Sequence, residues 1–216
     1  MIEIYLFIHP FGSVCYEAEK QLIDFMRDNS QKINLQILPL VNLQNTAAMM
    51  QLHQLDQKNL QTRNRFLNTA YAVALDFKAA QLQGKKYARR FLLKMQEALL
   101  FEKLPYSSQL AETLFFETGG DLVMFHEDRQ SALVAEMFWQ DQQTARELHI
   151  QQPTSAVVYN FYHEEEYGLL LQGFDALQTI PQLCQTKREN YLQFHHTQLK
   201  RANERALPNL PDLKLL

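Results

Sequence analysis

The sequence predicts an α/β fold in which a small β-sheet is interrupted by a long, all-helical insertion. Three observations support this prediction. A short apolar strand, a helix and a second strand open the chain; residues 42–104 contain no proline and only one glycine; and strand-like residues return after Pro153. Two strands separated by a helix form a βαβ unit, whose crossover should be right-handed.

The composition limits what the protein can be. With 216 residues, of which 46% are hydrophobic, the chain can bury a core, and its net charge of −3 argues against a nucleic-acid partner or an anionic membrane surface. No apolar run approaches the roughly 20 residues that span a bilayer, and the N-terminus lacks a signal-peptide pattern. Cys15 and Cys184 are too few for a disulfide framework. We therefore expect a soluble, cytoplasmic protein. We also expect no cofactor.

The first stretch of the chain, residues 3–22, organises the rest. β-Branched and aromatic residues predict a buried strand over residues 3–8, and a Pro/Gly turn then leads into a helix that begins near Ser13 and ends near residue 29. A second strand is predicted over residues 33–38, where apolar and polar residues alternate.

Residues 43–148 should form the helical insertion domain. Amphipathic spacing recurs through residues 67–99, and shorter helices follow it. The predicted starts of these shorter helices are Ser107 or Ser108, Asp121 and Ser131. The flanking segments, residues 1–42 and 149–216, should then form one sheet-bearing domain.

The C-terminal part of the chain returns to β-structure. Strands are predicted over residues 155–161 and 167–172, joined by a polar turn at residues 163–166. A long helix should follow from Thr179 to about residue 206. Its Lys and Arg side chains are most simply the solvated face of an amphipathic helix, although the same face could dock a partner protein.

Two short motifs in this order resemble the DsbA family, whose thioredoxin-like fold carries an inserted helical domain. Residues 9–16, His-Pro-Phe-Gly-Ser-Val-Cys-Tyr, are similar to the family's Asp-Pro-x-Cys-Pro-x-Cys-Trp/Tyr turn. The proline, the second cysteine and the tyrosine match, but Gly12 takes the place of the first cysteine and His9 that of the aspartate. Residues 145–154, which end in Pro-Thr, look like the segment before the family's third strand.

Within this family, residues 152–160 look particularly like the SpxH (YjbH) branch of low-GC Gram-positive bacteria. Members of that branch are cytosolic adaptors that bind the stress regulator Spx and promote its degradation by the ClpXP protease. The resemblance therefore implies a protein-binding adaptor whose partners are a Spx-like regulator and ClpXP. This is the leading hypothesis for the function.

The candidate thiol, Cys15, leaves two alternatives open. The site positions that the resemblance implies are Gly12, Ser13, Val14, Cys15, Gln152 and Pro153. A thiol near a helix N-terminus has a lowered pKa, so the chain could be a monothiol thiol-disulfide oxidoreductase or isomerase of the DsbA/FrnE type. A lone cysteine, however, has no local partner to release a mixed disulfide, which favours a buried, inert thiol and a protein that is not an enzyme.

Other residues carry weaker hypotheses. The resemblance implies a cis peptide bond at Pro153, whose edge is either a peptide-binding surface or a structural turn. Ser13 lies one position from the serine that kappa-class glutathione transferases use, so a glutathione-dependent transferase is a third, weaker alternative. Ser13 is more simply the N-cap of the helix. His195 and His196 are adjacent, so on a helix they would point roughly 100° apart and would not form a metal-binding pair. We therefore expect no metal site.

Overall fold

The structure, a computed structural model, describes residues 1–28, 32–161 and 168–185 of the chain. Its strands are β1 (Ile2–Ile8), β2 (Ile33–Pro39), β3 (Ser155–Asn160) and β4 (Leu169–Gln172). Within the described ranges they form one four-stranded sheet in the order β2-β1-β3-β4. β2 runs parallel to β1, β3 is antiparallel to β1, and β4 is antiparallel to β3.

Helices connect these strands and fill the insertion. The connection between β1 and β2 is α1 (Ser13–Asp28). Between β2 and β3 lie α2 (Leu43–Leu52), α3 (Leu60–Leu82), α4 (Lys85–Gln96), a π-helix (Glu97–Phe101), α5 (Ser108–Phe116), α6 (Leu122–Arg129) and α7 (Ala132–Glu147). After β4 come α8 (Phe174–Leu177) and α9 (Ile180–Gln185).

The predicted α/β fold with a helical insertion is confirmed. Strand and helix ends differ from the predicted ones by one or two residues, the usual uncertainty of such boundaries. The predicted turn at residues 163–166 lies outside the described residues, as does the predicted final helix beyond α9. The division into domains at residues 42/43 and 148/149 stays a prediction.

The central strand, β1, faces two cores because its side chains alternate between the faces of the sheet. On one face Ile4 and Leu6 belong to a large apolar cluster that contains part of α1 and continues into the insertion through Phe77 and Phe91. On the other face Phe7 belongs to a smaller cluster. The other buried members of that smaller cluster are Leu38, Leu40, Ala145, Ile150 and Val157. The turn that follows β1 is therefore held between these two apolar clusters.

Candidate functional site

The turn after β1 places Cys15 in the first turn of α1. The Gly12 amide donates to the His9 carbonyl at 2.9 Å, and the Tyr16 amide donates to the Gly12 carbonyl at 3.0 Å. Gly12 thus holds the N-cap position, since the carbonyl of the cap accepts the first helical hydrogen bond. Ser13 is the first helical residue, and the prediction that it is the N-cap is wrong.

The thiol of Cys15 is buried, with 1% of the residue exposed. Its Sγ lies 3.0 Å from the hydroxyl of Thr154 and accepts a hydrogen bond from the His9 amide at 3.4 Å. Burial raises the pKa of the Cys15 thiol to about 11, and these two hydrogen bonds oppose the rise only in part. At neutral pH the group is therefore a neutral thiol rather than a nucleophilic thiolate.

Two buried titratable side chains near this thiol are uncharged at neutral pH. Burial, together with the nearby His53, lowers the pKa of His9 to about 3, so its imidazole stays neutral. Glu19 lies one helical turn after Cys15, and burial raises the pKa of its carboxyl to about 8 although Gln96 donates to it at 2.8 Å. The neutral imidazole of His9 therefore supplies no positive charge that would stabilise a thiolate at Cys15.

A groove of about 620 Å³ opens over the turn. The predicted site residues that line it are Gly12, Ser13, Val14, Cys15 and Pro153. Gln152 is not part of the lining. Thr154, which the sequence motif contains but which we did not assign to the site, lines the groove and makes the closest polar contact with the thiol. Its position directly after Pro153 was the sequence feature that could have identified it as a site residue.

Apolar side chains form the rim of this groove. Val14 is 45% exposed, Leu52 69% and Phe101 54%. Phe101 packs edge-on against the ring of Tyr16 at 5.2 Å, and the Tyr16 hydroxyl donates to Glu97 at 2.7 Å, so both ends of the π-helix are fixed to α1. The sequence offered no signal for a π-helix, a rare element that often occurs at functional sites.

The insertion also covers the turn from the side of α3. The ring of Phe66 lies 4.6 Å from the ring of Phe11 and stacks on His9 at 6.2 Å. The Nε2 atom of His53 is 2.8 Å from the Phe11 carbonyl. These contacts bury His9 and hold the turn against the insertion. They join residues far apart in sequence, so the motif alone did not predict them.

The loop before β3 differs from the predicted one at Pro153, because the Gln152–Pro153 peptide bond is trans. The chain reverses instead at Thr154, whose φ of 59° lies in the left-handed region. Both backbone groups of Thr154 are paired, the amide with the Phe7 carbonyl at 2.8 Å and the carbonyl with the Gly173 amide at 2.9 Å. These bonds hold the reversal in place without a cis bond, and they leave the Thr154 backbone unavailable to an extended peptide.

The described ranges hold neither a metal-binding cluster nor a membrane-spanning helix. Those ranges contain no group of three or more His, Cys, Asp or Glu side chains that could hold a metal ion. His195 and His196 lie outside them. Within the described residues, every helix is too short or too polar to span a bilayer.

Comparisons with known proteins agree with this geometry. The sequence profile of the thioredoxin family matches residues 5–182. The ClpXP adapter protein SpxH of Staphylococcus aureus is 30% identical over 172 residues, which cover 80% of this chain and 60% of that protein. The chain thus spans about 60% of the length of the curated relatives it matches.

Two solved structures illustrate the shared fold. The oxidoreductase DsbA from Xylella fastidiosa has a TM-score of 0.57 at 15% identity, covering 88% of this chain and 87% of that one. The cytosolic disulfide reductase DsbM from Pseudomonas aeruginosa has a TM-score of 0.58 at 12% identity, covering 92% and 98%. Structural similarity at 12–15% sequence identity shows a shared fold and nothing further. The chain therefore belongs to the thioredoxin family and has a DsbA-like fold, with SpxH adapters among its relatives, as its sequence motifs predicted.

Proposed function

We propose that this chain is a cytoplasmic, protein-binding adaptor of the SpxH type, which binds a Spx-like regulator in the groove over Cys15 and promotes its degradation by ClpXP. The observation that carries the proposal is a buried, neutral thiol without a second cysteine in its turn, lying under an exposed apolar groove. The name of the relatives at 30% identity supports the same function. The groove would bind a partner's side chains without redox chemistry.

The chemistry of the turn argues against disulfide exchange. Gly12 stands where the exposed nucleophile of a dithiol motif would be, and the remaining thiol has a pKa of about 11 because it is buried. Disulfide exchange depends on the thiolate fraction of the attacking thiol and on its access to the substrate, and both are low for Cys15.

The groove itself has the properties of a protein-binding surface. Large contiguous apolar patches are uncommon on the surfaces of monomeric proteins, and they mark interaction sites. Here Val14, Leu52 and Phe101 come from three separate elements and converge on one groove. Lys103 and Thr154, with φ angles of 58° and 59°, also line it. Non-glycine residues in the left-handed region cluster at binding and switch sites, because their strain persists only where the surrounding structure fixes it.

The decisive experiment introduces a charge at Val14. Asp at this position lies in the first turn of α1, where the helix dipole favours a negative charge, so folding should be preserved while the groove becomes polar. We expect Val14→Asp to weaken binding of a purified Spx-like regulator by about tenfold or more, as loss of a buried apolar anchor does. Calorimetry measures the binding, and reconstituted ClpXP measures degradation of the regulator.

A matched control is available at Val123, which is also the second residue of a helix and is 69% exposed. Val123→Asp adds the same charge in the same helical position but outside the groove lining. It should bind the regulator and support degradation like the wild type. Unchanged binding by Val14→Asp, or equal losses in both variants, would contradict the proposed binding site.

The second candidate function, a monothiol oxidoreductase, is supported by the position of Cys15 where DsbA-type folds carry their redox site. Cys15→Ala separates the two functions. The adaptor function predicts that the variant still binds the regulator and that the wild type does not reduce insulin. It also predicts that Cys15 reacts slowly with a thiol reagent until the protein is unfolded. Rapid labelling of the native protein, with insulin reduction lost in Cys15→Ala, would establish the enzyme instead.

A further inference from the structure

A second, smaller pocket of about 200 Å³ lies at the free edge of β2, and we call it the edge pocket. The lining residues that matter here are Ile37, Lys78, Gln81, Lys85, Arg89 and Asp141. They come from β2, α3, α4 and α7, and none of them lines the groove over Cys15. The proposed adaptor function makes no use of this pocket.

The charges around the edge pocket do not balance. Lys78 and Asp141 form a buried ion pair, and Lys78 also donates to the Gln81 side chain at 3.0 Å. Lys85 donates to the neutral side chain of Asn34 at 2.7 Å. Among the residues that the structure describes, neither Lys85 nor Arg89 has an acidic partner. The lining therefore carries two positive charges that it does not neutralise.

The unused hydrogen-bonding groups of the edge pocket are mainly donors. The guanidinium of Arg89 and the amide nitrogen of Gln81 make no hydrogen bond within the described part of the chain. The sheet adds backbone donors from β2. At the two ends of this strand, the Lys32 carbonyl and the Leu40 amide pair with β1. The backbone groups of successive residues point alternately to the two sides of a strand. The amides of Leu35 and Ile37 must then point away from β1, toward the free edge. Such a pocket suits a ligand rich in acceptor oxygens.

Arg89 is also partly removed from water. Burial lowers the pKa of its guanidinium, and no neighbouring acid opposes that effect. A desolvated cation without a partner is unfavourable, and an anion in the pocket would relieve the cost. A guanidinium presents paired N–H groups that match the oxygens of a phosphate in a bidentate geometry.

We propose that the edge pocket is a binding site for a phosphate-type dianion, with Arg89 and Lys85 supplying the charge and Gln81 a neutral donor. Two positive charges match a doubly charged oxyanion, and a volume of about 200 Å³ is large enough to admit a phosphoryl group. The anion can be free phosphate or the phosphoryl group of a modified side chain, which present the same oxygens. In either case Lys78 stays paired with Asp141 and shapes the floor of the pocket.

The test compares two double variants of the full-length protein. Lys85→Gln/Arg89→Gln removes the two unneutralised charges of the edge pocket. Lys86→Gln/Arg90→Gln removes the same charge from the next two positions of α4, which are exposed and do not line the pocket. Calorimetry with inorganic phosphate, at constant ionic strength against chloride, measures the Kd of each protein.

The wild type should bind one phosphate, and Lys85→Gln/Arg89→Gln should raise the Kd by about tenfold or more, because charge-assisted hydrogen bonds are lost. Lys86→Gln/Arg90→Gln should stay within about twofold of the wild type, since only screened surface charge changes. Arg89→Lys keeps the charge but removes the paired N–H donors of the guanidinium, so it should give an intermediate Kd. No saturable binding by the wild type, or equal weakening in both double variants, would overturn the proposal.

A second ligand separates the two sources of the anion. The same titration is repeated with the N-acetyl amide of phosphoserine. Tighter binding of inorganic phosphate assigns the pocket to a free anion, and tighter binding of the phosphoserine derivative assigns it to a phosphorylated peptide. Either ranking supports the site when Lys85→Gln/Arg89→Gln weakens both ligands.

Discussion

At the scale of one residue, Gly12 shows why this turn accommodates a residue that has no Cβ atom. A Cβ built on Gly12 would lie 2.6 Å from the Sγ of Cys15 and 3.1 Å from its Cβ. Gly12 is not among the residues with positive φ, so its backbone is accessible to other amino acids. The constraint is therefore space, and the atom that fills the space is the buried thiol.

The substitution Gly12→Cys should restore a dithiol turn. The two Cβ atoms would start 3.1 Å apart, slightly less than the roughly 3.5–4.5 Å of a disulfide, so the turn must open by a few tenths of an ångström. We expect the oxidised variant to form a bridge between positions 12 and 15 and to gain disulfide exchange. Mass spectrometry of the digested protein detects the bridge.

Gly12→Ala is the control for that experiment, because it adds the same Cβ without a sulfur that can bond. It should lower the free energy of unfolding by about 1–3 kcal/mol, the usual cost of overpacking a filled site. A Gly12→Cys protein that folds but forms no bridge on oxidation would show that the turn does not have the geometry of a dithiol motif.

Glu19 should make stability depend on pH. Burial raises the pKa of its carboxyl from 4.5 to about 8, so between these values the folded protein holds a proton that the unfolded chain has released. The free energy of unfolding should therefore fall as the pH rises through this range, by up to about 1.4 kcal/mol for each pH unit. Glu19→Gln removes the ionisable group and can still accept the hydrogen bond from Gln96, so its stability should change less.

Urea denaturation near pH 5 and near pH 8 measures how the free energy of unfolding changes with pH. These two pH values lie close to the two ends of the range between the pKa of Glu19 in the unfolded chain and its raised pKa in the folded protein. Glu17→Gln, on the exposed side of α1, is the control and should keep the slope of the wild type. Equal stability changes in wild type and Glu19→Gln between the two pH values would show that the Glu19 carboxyl ionises as it does in water.

At the scale of elements, the predictable features are those set by neighbours in sequence. The helix starts predicted at Ser107 or Ser108, at Asp121 and at Ser131 are confirmed. Ser107 is the cap of the first of these helices, and the side chains of all three caps accept a hydrogen bond from an amide two or three residues later. The π-helix and the reversal at Thr154 were not predicted. Both depend on packing between segments distant in sequence, and neither leaves a local pattern of residue types.

The same distinction explains which parts of the candidate site were found. Residues 12–15 and Pro153 follow from motifs along the chain, so their meeting at one groove could be expected from the fold. The apolar rim at Leu52 and Phe101 comes from elements whose apolar residues were indistinguishable from core residues in the sequence. Their exposure is decided by tertiary packing, which the periodicity of one helix does not contain.

Helix α7 protects one end of the exposed sheet edge through Gln142. Its side chain donates to the Pro39 carbonyl at 2.7 Å and accepts from the Val41 amide at 3.3 Å, replacing the partner that an edge strand lacks. Gln142→Leu should lower the free energy of unfolding by about 1–3 kcal/mol for each backbone group left unpaired. Gln143→Leu, on the exposed side of α7, should change it little. Urea denaturation that ranks the two variants equally would contradict this role.

At the scale of the whole molecule, the sheet and the insertion share one apolar core. The large cluster contains Ile4 and Cys15 near the sheet together with Phe91 and Phe115 in the insertion. Adjacent aromatic contacts continue it, with the rings of Phe115 and Phe125 stacked at 4.1 Å. Separating the insertion from the sheet would expose apolar surface on both parts. Neither part should therefore remain as stable without the other.

The chain should therefore unfold in one cooperative transition, and two natural probes can test this. Trp139 in α7, the only tryptophan in the sequence, reports on the insertion by fluorescence, and Cys15 reports on the sheet by its reaction with a thiol reagent. In a urea series at equilibrium, the fluorescence change and the labelling of Cys15, assigned by mass spectrometry after digestion, should have the same midpoint. Separate midpoints would mean that the insertion and the sheet-bearing part unfold as independent domains despite their shared core.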